Sequence, residues 1–219
     1  MAILSDHVAR YLEELRPVRS PVMEEMEEME EMAERDGVPI VQWETGRLLA
    51  ALVRSLDPGL VLEVGTAIGY STLHMAEQLE HGRIVTLEID AKRAQLARGF
   101  LERAGVGERV LVVEGDALET VAAVEGPVEL LFLDAAKNEY RRYLELAEPV
   151  LSPRALLVVD NVLMSGEVAL RAGAPDTYWA ADKLAGARAL NAELLDSSDW
   201  VAAVLPIGDG VALASRRPH

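Results

Sequence analysis

The chain has 219 residues, half of them hydrophobic, with 21 Lys and Arg against 37 Asp and Glu for a formal net charge of −16. That length can bury one sizeable core, so a single domain is expected, and the acidic balance disfavours nucleic acid as a partner without excluding it. Zero cysteines remove disulfides, thiolate nucleophiles and cysteine metal sites, so any metal must be held by oxygen or nitrogen.

The first residues, MAILSDHVAR, place Asp6, His7 and Arg10 where a signal peptide needs an uninterrupted apolar stretch, and no run of about 18 apolar residues follows. A soluble, cytoplasmic protein is expected. Residues 1–57 read as a helical arm packed on the rest of the chain, 58–219. Within the arm, MEEMEEMEEMAE repeats Met23, Met26, Met29 and Met32 at every third position. The reading is an amphipathic helix with a solvated acidic face; the alternative is a Met-rich surface against a partner chain. A homodimer is the expected assembly.

From about residue 58, short apolar runs alternate with helix-like stretches, the pattern of βαβ units around a parallel sheet. The runs are LVLEV (60–64), RIVTLEI (83–89), RVLVVEG (109–115), VELLFLD (128–134) and ALLVVD (155–160). Helical segments lie near 70–80, 91–104, 117–124 and 139–150. The strands are almost wholly apolar, as expected where helices cover both faces of a sheet. After a further helix near 180–195, WVAAVLP (200–206) and GVALASR (210–216) are separated by only three residues, too few for a crossover, so an antiparallel hairpin is predicted at the sheet edge. The fold class is α/β with a mostly parallel seven-stranded sheet, an order that resembles the Rossmann-like methyltransferases.

The first run ends in EVGTAIGYS, a glycine-containing turn from strand to helix that lets a ligand approach the backbone and the free N–H groups of a helix start. A tight structural turn would look the same. The next run ends in Glu88, nineteen residues after Gly69, where an acid can accept hydrogen bonds from ribose hydroxyls. The turn is GxxxG and not GxGxxG, and Glu63 beside it would repel a pyrophosphate but suit a sulfonium cation and an amino group. S-adenosylmethionine carries both. Asp116, in EGDA, is placed to accept from an adenine amine or to cap the following helix.

The fourth run ends in Asp134-Ala-Ala-Lys137 and the fifth in Asp160-Asn161, so two acids, an amide and an amine converge on the carboxyl edge of the sheet. Asp134, Asp160 and Asn161 offer three hard oxygens suited to Mg²⁺, Mn²⁺ or Ca²⁺, although helix capping and loop hydrogen bonding would use the same residues. Trp43, Tyr178 and Trp179 are candidates for an aromatic pocket or for packing.

The segments VLEVGTAIGYST, VTLEID, GDA, LFLDAAK, VVDNVLMSGEV and LPIGDGVALA resemble the cation-dependent O-methyltransferases of the caffeoyl-CoA and catechol O-methyltransferase family, over about Val38 to Arg216. The resemblance implies metal ligands at Asp134, Asp160 and Asn161, a catalytic base at Lys137, and cofactor contacts at Val41, Glu63, Gly65, Ser71, Glu88, Asp116, Ala117 and Asp134. It implies methyl transfer from S-adenosylmethionine to a small aromatic diol. The chain departs from the family at Met164, where an aromatic residue is common, and over 169–185, which matches no motif. A tRNA hydroxyuridine O-methyltransferase using Arg47, Arg54, Arg141, Arg142 and Arg171 is the alternative, followed by a non-catalytic S-adenosylmethionine sensor and, remotely, a dehydrogenase.

Overall fold

The computed structural model describes residues 6–16, 21–171, 173–174 and 177–217. Three helices precede the sheet: α1 (Asp6–Glu14), α2 (Pro21–Asp36) and α3 (Trp43–Leu56). Then come β1 (Leu60–Val64), α4 (Tyr70–Ala76), β2 (Arg83–Glu88), α5 (Ala91–Arg103), β3 (Val110–Glu114), the single turn α6 (Ala117–Thr120), β4 (Val128–Leu133), α7 (Tyr140–Ala147) and β5 (Leu151–Val159). Helix α8 (Ala181–Asp196) leads to β6 (Trp200–Leu205) and β7 (Val211–Arg216).

The seven strands lie in the order β3-β2-β1-β4-β5-β7-β6. The first five are parallel, and β7 runs antiparallel to both β5 and β6. The predicted hairpin is therefore present, with its second strand inserted next to β5. Strand order reverses between β1 and β4, the switch point at which open parallel sheets form a crevice.

Strand side chains alternate between two cores because successive Cβ atoms point to opposite faces. Val61, Ile84, Leu130, Phe132 and Val158 join α2–α5 in one core, while Leu62, Val64, Leu131, Leu133 and Val159 join α7 and α8 in the other. Central strand β1 is buried along its whole length, as expected for an apolar run covered on both sides. Edge strand β3 departs from that expectation. Only Val112 is buried there and Leu111 stands out to solvent, because α6 is one turn long and covers little.

The Met repeat resolves as a helix face turned inward. Met26 and Met29 are buried in the chain's own core and Met32 packs against it, while Glu24, Glu27, Glu28 and Glu31 remain exposed. The side chain of Met23 lies outside the described residues. Helix α3 contributes Leu49 and Val53, both fully buried, to the same core. Among the described residues no helix is long and apolar enough to cross a membrane.

Candidate active site

The hydrogen-bond ladder continues one step past the strand ends: Gly65 N–H donates to Leu87 O, Gly115 N–H to Glu88 O, Asp134 N–H to Val64 O and Asp160 N–H to Leu133 O, all at 2.9–3.0 Å. The residues that follow the strands are thereby set in one row on the carboxyl edge. Gly65 has φ +102°, and a Cβ there would overlap the carbonyl oxygen of Asp134. Glycine is what lets the β1–α4 turn lie against β4. A cavity of about 550 Å³ opens above the row, walled by Gly65, Thr66, Ala67, Ser71, Glu88, Asp116, Ala117, Asp134 and Lys137, with Pro39, Ile40 and Val41 on another side.

Glu88 is buried and anchored by the turns beside it. Its Oε2 accepts the Ala67 N–H at 2.8 Å and its Oε1 the Asp90 N–H at 2.9 Å. Each carboxylate oxygen has a second lone-pair direction, so a fixed, cavity-facing acceptor remains for two hydroxyls. Asp116 caps α6 through the Leu118 N–H at 2.8 Å, and it also stands on the cavity wall.

Glu63 is placed differently from the expectation of an acid presented to the ligand. It is fully buried behind the turn, where it accepts from Ser71 at 2.5 Å, from Thr72, and from Thr86 at 2.6 Å. Burial outweighs these bonds and raises its pKa to about 7. Ser71, and not Glu63, forms the wall. Thr72 and Thr86 were missed in the sequence, yet Thr86 is a polar residue inside an apolar strand and pairs in register with Glu63, which is the signal that could have found it.

At the ends of β4 and β5, Leu133 and Val159 are in register, so Asp134 and Asp160 are neighbours. Lys137 Nζ lies 2.5 Å from Asp134 Oδ1, and both side chains are less than one-fifth exposed. Lys137 thus pairs with Asp134 and not with Glu139 or Glu63; the Tyr143 hydroxyl occupies Glu139 instead, at 2.5 Å. Burial pushes the Asp160 carboxyl well above the usual range, Asp134 pushes it further, and Lys137 opposes the shift. Asn161 has φ +59° and its Nδ2 faces Asp209 Oδ2 at 3.4 Å. Asp160 and Asn161 lie beside the cavity and do not line it.

The chain that builds this edge matches known proteins along nearly its whole length. An O-methyltransferase family model covers residues 13–217. The chain belongs to the O-methyltransferase family. It is similar to a catechol O-methyltransferase of Mycobacterium tuberculosis, with 40% identity over 130 residues that span 58% of this chain and 59% of that relative's length. A catechol O-methyltransferase of Niastella koreensis is 34% identical over 179 residues, 77% of this chain and 78% of the relative. The solved O-methyltransferase TomG of Streptomyces achromogenes, in complex with SAM, superposes with a TM-score of 0.82 over 96% of each chain at 28% identity.

In this O-methyltransferase the aromatic candidates part company. Trp43 is a core residue, held edge-on to His74 at 5.1 Å and beneath the Arg16 and Arg47 guanidinium groups at 5.0 and 5.7 Å. His74 is itself buried among these cations, which keeps its pKa at about 3. Trp179 stands on the cavity wall, and Tyr178, 87% exposed, meets it edge-on at 5.5 Å. Both backbone N–H groups of this pair donate to Glu167, at 3.0 and 3.1 Å. Met164 is fully buried against Leu184, Ala187 and Trp179. In the unmatched stretch 169–185, residues 172, 175 and 176 lie outside the described residues. Of the proposed basic patch, Arg54 pairs with Glu80, Arg141 with Glu193 and Glu145, and Arg142 with Glu145, so their charges are locally offset.

The divalent cation that the O-methyltransferase fold implies fits this edge. Asp134, Asp160 and Asn161 supply hard oxygen donors, and Asp160 Oδ1 is buried with no hydrogen-bond partner. Asp160 is buried, Asp134 beside it is less than one-fifth exposed, and one lysine offsets only one of two carboxylates, so a cation would supply the missing countercharge. Among the described residues the three-member group of acidic and histidine ligands within 4.8 Å is Asp57, Glu80 and His81. It lies at the opposite, amino edge, where Asp57 ties down the Glu80 and His81 N–H groups of the loop before β2.

Proposed function

We propose that the chain transfers the methyl group of S-adenosylmethionine to one oxygen of a catechol-like or caffeoyl-type vicinal diol, with a divalent cation held by Asp134, Asp160 and Asn161. The observation that carries this reading is that Lys137 and Asp134 share one cavity wall with Glu88 and the glycine turn. An amine beside a carboxylate and a second, fixed carboxylate acceptor thus face a single space.

Glu88 would accept from the ribose hydroxyls and Asp116 from the adenine amine, and Asp134 on the wall would favour the sulfonium, with Glu63 adding to it from behind the turn when ionised. A cation held by the three oxygens would attract the diol and lower the pKa of its hydroxyls. Lys137, as the free amine after giving up its own proton to solvent, takes the proton of the attacking hydroxyl. The oxygen lone pair forms the new O–CH₃ bond as the S–CH₃ bond breaks, and the bonding pair leaves with sulfur as a neutral thioether. Trp179 supplies an aromatic surface beside the acceptor. Holding both reactants in contact accounts for much of the acceleration, because methyl transfer needs little other chemical help.

A screen with labelled S-adenosylmethionine against catechols, caffeoyl derivatives and total tRNA, with and without chelator, tests the reading. Label is expected in a vicinal diol, abolished by chelator and restored by Mg²⁺ or Mn²⁺. Full turnover in excess chelator removes the metal, and label in tRNA alone replaces the acceptor. Cofactor binding without any transfer would indicate a sensor.

A further inference from the structure

The loop after β5 has three consecutive residues in the left-handed region, Met164 (φ +45°), Ser165 (φ +54°) and Gly166 (φ +86°), following Asn161 (φ +59°). Non-glycine residues adopt this conformation at a cost, so neighbouring structure must hold it. The holding element is the turn between β6 and β7. Val162 N–H donates to Gly210 O at 2.9 Å and Leu163 N–H to Asp209 O at 3.0 Å. A Cβ at Gly210 would overlap the Leu163 side chain and one at Gly208 would crowd Thr45 Oγ1, so the two glycines let the turn seat against both segments.

Between those glycines stands Asp209, a residue to which neither the family resemblance nor the proposed reaction assigns a role. Its Oδ1 accepts the Ser165 hydroxyl at 2.9 Å, and its Oδ2 faces Asn161 Nδ2 at 3.4 Å. The serine bond fixes the carboxylate rotamer, and the second oxygen is then held opposite the carboxamide. An asparagine side chain can turn over and exchange its nitrogen for its oxygen at little steric cost, and only its hydrogen-bond partners decide between the two. A carboxylate accepts and cannot donate, so it selects the orientation that turns Nδ2 toward itself and leaves Oδ1 for another ligand.

We propose that Asp209 is a positioning residue that orients the Asn161 carboxamide oxygen toward the cation, clamped in turn by Ser165. This rests on the metal reading given above. Such outer partners of a metal ligand characteristically change metal affinity by about 10- to 100-fold when removed.

The test uses the full chain without cofactor, titrated calorimetrically with Mn²⁺, together with NMR hydrogen exchange of the Asn161 side-chain amide. Asp209→Ala is expected to weaken Mn²⁺ by about 10- to 100-fold and to speed exchange of that amide. Asp209→Asn, whose carbonyl can still accept from Nδ2, is expected to retain most of the affinity and the slow exchange, at an unchanged melting temperature. Unaltered affinity and exchange in Asp209→Ala overturn the proposal. So does an equal loss of affinity in both variants, which would make the negative charge of Asp209 the operative feature, as a direct ligand or through the field. A native chain that binds no Mn²⁺ overturns the metal reading itself, an outcome distinct from a native chain that binds and an alanine variant that binds equally well.

Discussion

Lys137 Nζ and Asp134 Oδ1 are 2.5 Å apart on the wall of the cavity that also contains Glu88. The amine is three residues beyond the acid, and the turn after β4 folds it back onto the sheet edge. Substrate hydroxyl and cofactor methyl would both be within this space, so the pair is where binding and chemistry can be separated by mutation.

Lys137→Ala should lower kcat by about 10²- to 10⁴-fold, the usual worth of a positioned general base, with S-adenosylmethionine affinity nearly intact. Raising the pH should partly restore turnover, because an acidified hydroxyl can lose its proton to solvent base. Steady-state kinetics across pH, with calorimetry for the cofactor, checks both. A stable variant with native kcat throughout would rule Lys137 out as the base.

Glu88→Ala removes a buried carboxylate that receives the Ala67 and Asp90 N–H groups. Cofactor affinity should fall by about 1.5–3 kcal/mol, from the lost acceptor for two ribose hydroxyls. Unchanged affinity by calorimetry would place the ribose elsewhere.

Glu63 gives a pH dependence whose sign follows from its pKa of about 7, raised by burial above its ordinary value of 4.5. Between those pH values the folded chain keeps a proton that the unfolded chain has released. Stability should therefore fall as pH rises through this window, by on the order of 3 kcal/mol, and Glu63→Gln should flatten the curve. Ionised Glu63 favours a cationic ligand, so the preference for S-adenosylmethionine over its neutral demethylated product should grow as pH passes 7. Denaturant titrations and paired binding isotherms at pH 5, 6 and 8 decide the matter; a preference that does not vary with pH counts against any coupling of Glu63 to the sulfonium.

Gly65→Ala should destabilise the fold and weaken the cofactor together, because its φ of +102° disfavours any side chain and the new methyl meets the Asp134 carbonyl. About 1–3 kcal/mol of stability is expected to be lost, measured by thermal or denaturant unfolding. A variant as stable as the native chain would mean that β1 and β4 can separate at this point without cost.

The sequence by itself determined what repeats locally: the alternation of apolar runs and helices, the three-residue link that demands a hairpin, the glycine turn, and the acids that end β2, β4 and β5. These follow from side-chain period and chain length, which do not depend on distant residues. Strand order and burial depth decided the rest. The same apolar alphabet describes β1 and β3, yet β3 lies at the edge under a single-turn helix, so only one of them is buried throughout. Trp43 and Trp179 carry the same ring, but α3 turns the first into the core while the loop held by Glu167 turns the second to the cavity. Glu63 reads as an exposed ligand acid until Thr72 and Thr86, from two other elements, enclose it. Asp209 meets Asn161 across 48 residues only because β7 inserts beside β5, a pairing that depends on the whole sheet and leaves no trace in local spacing.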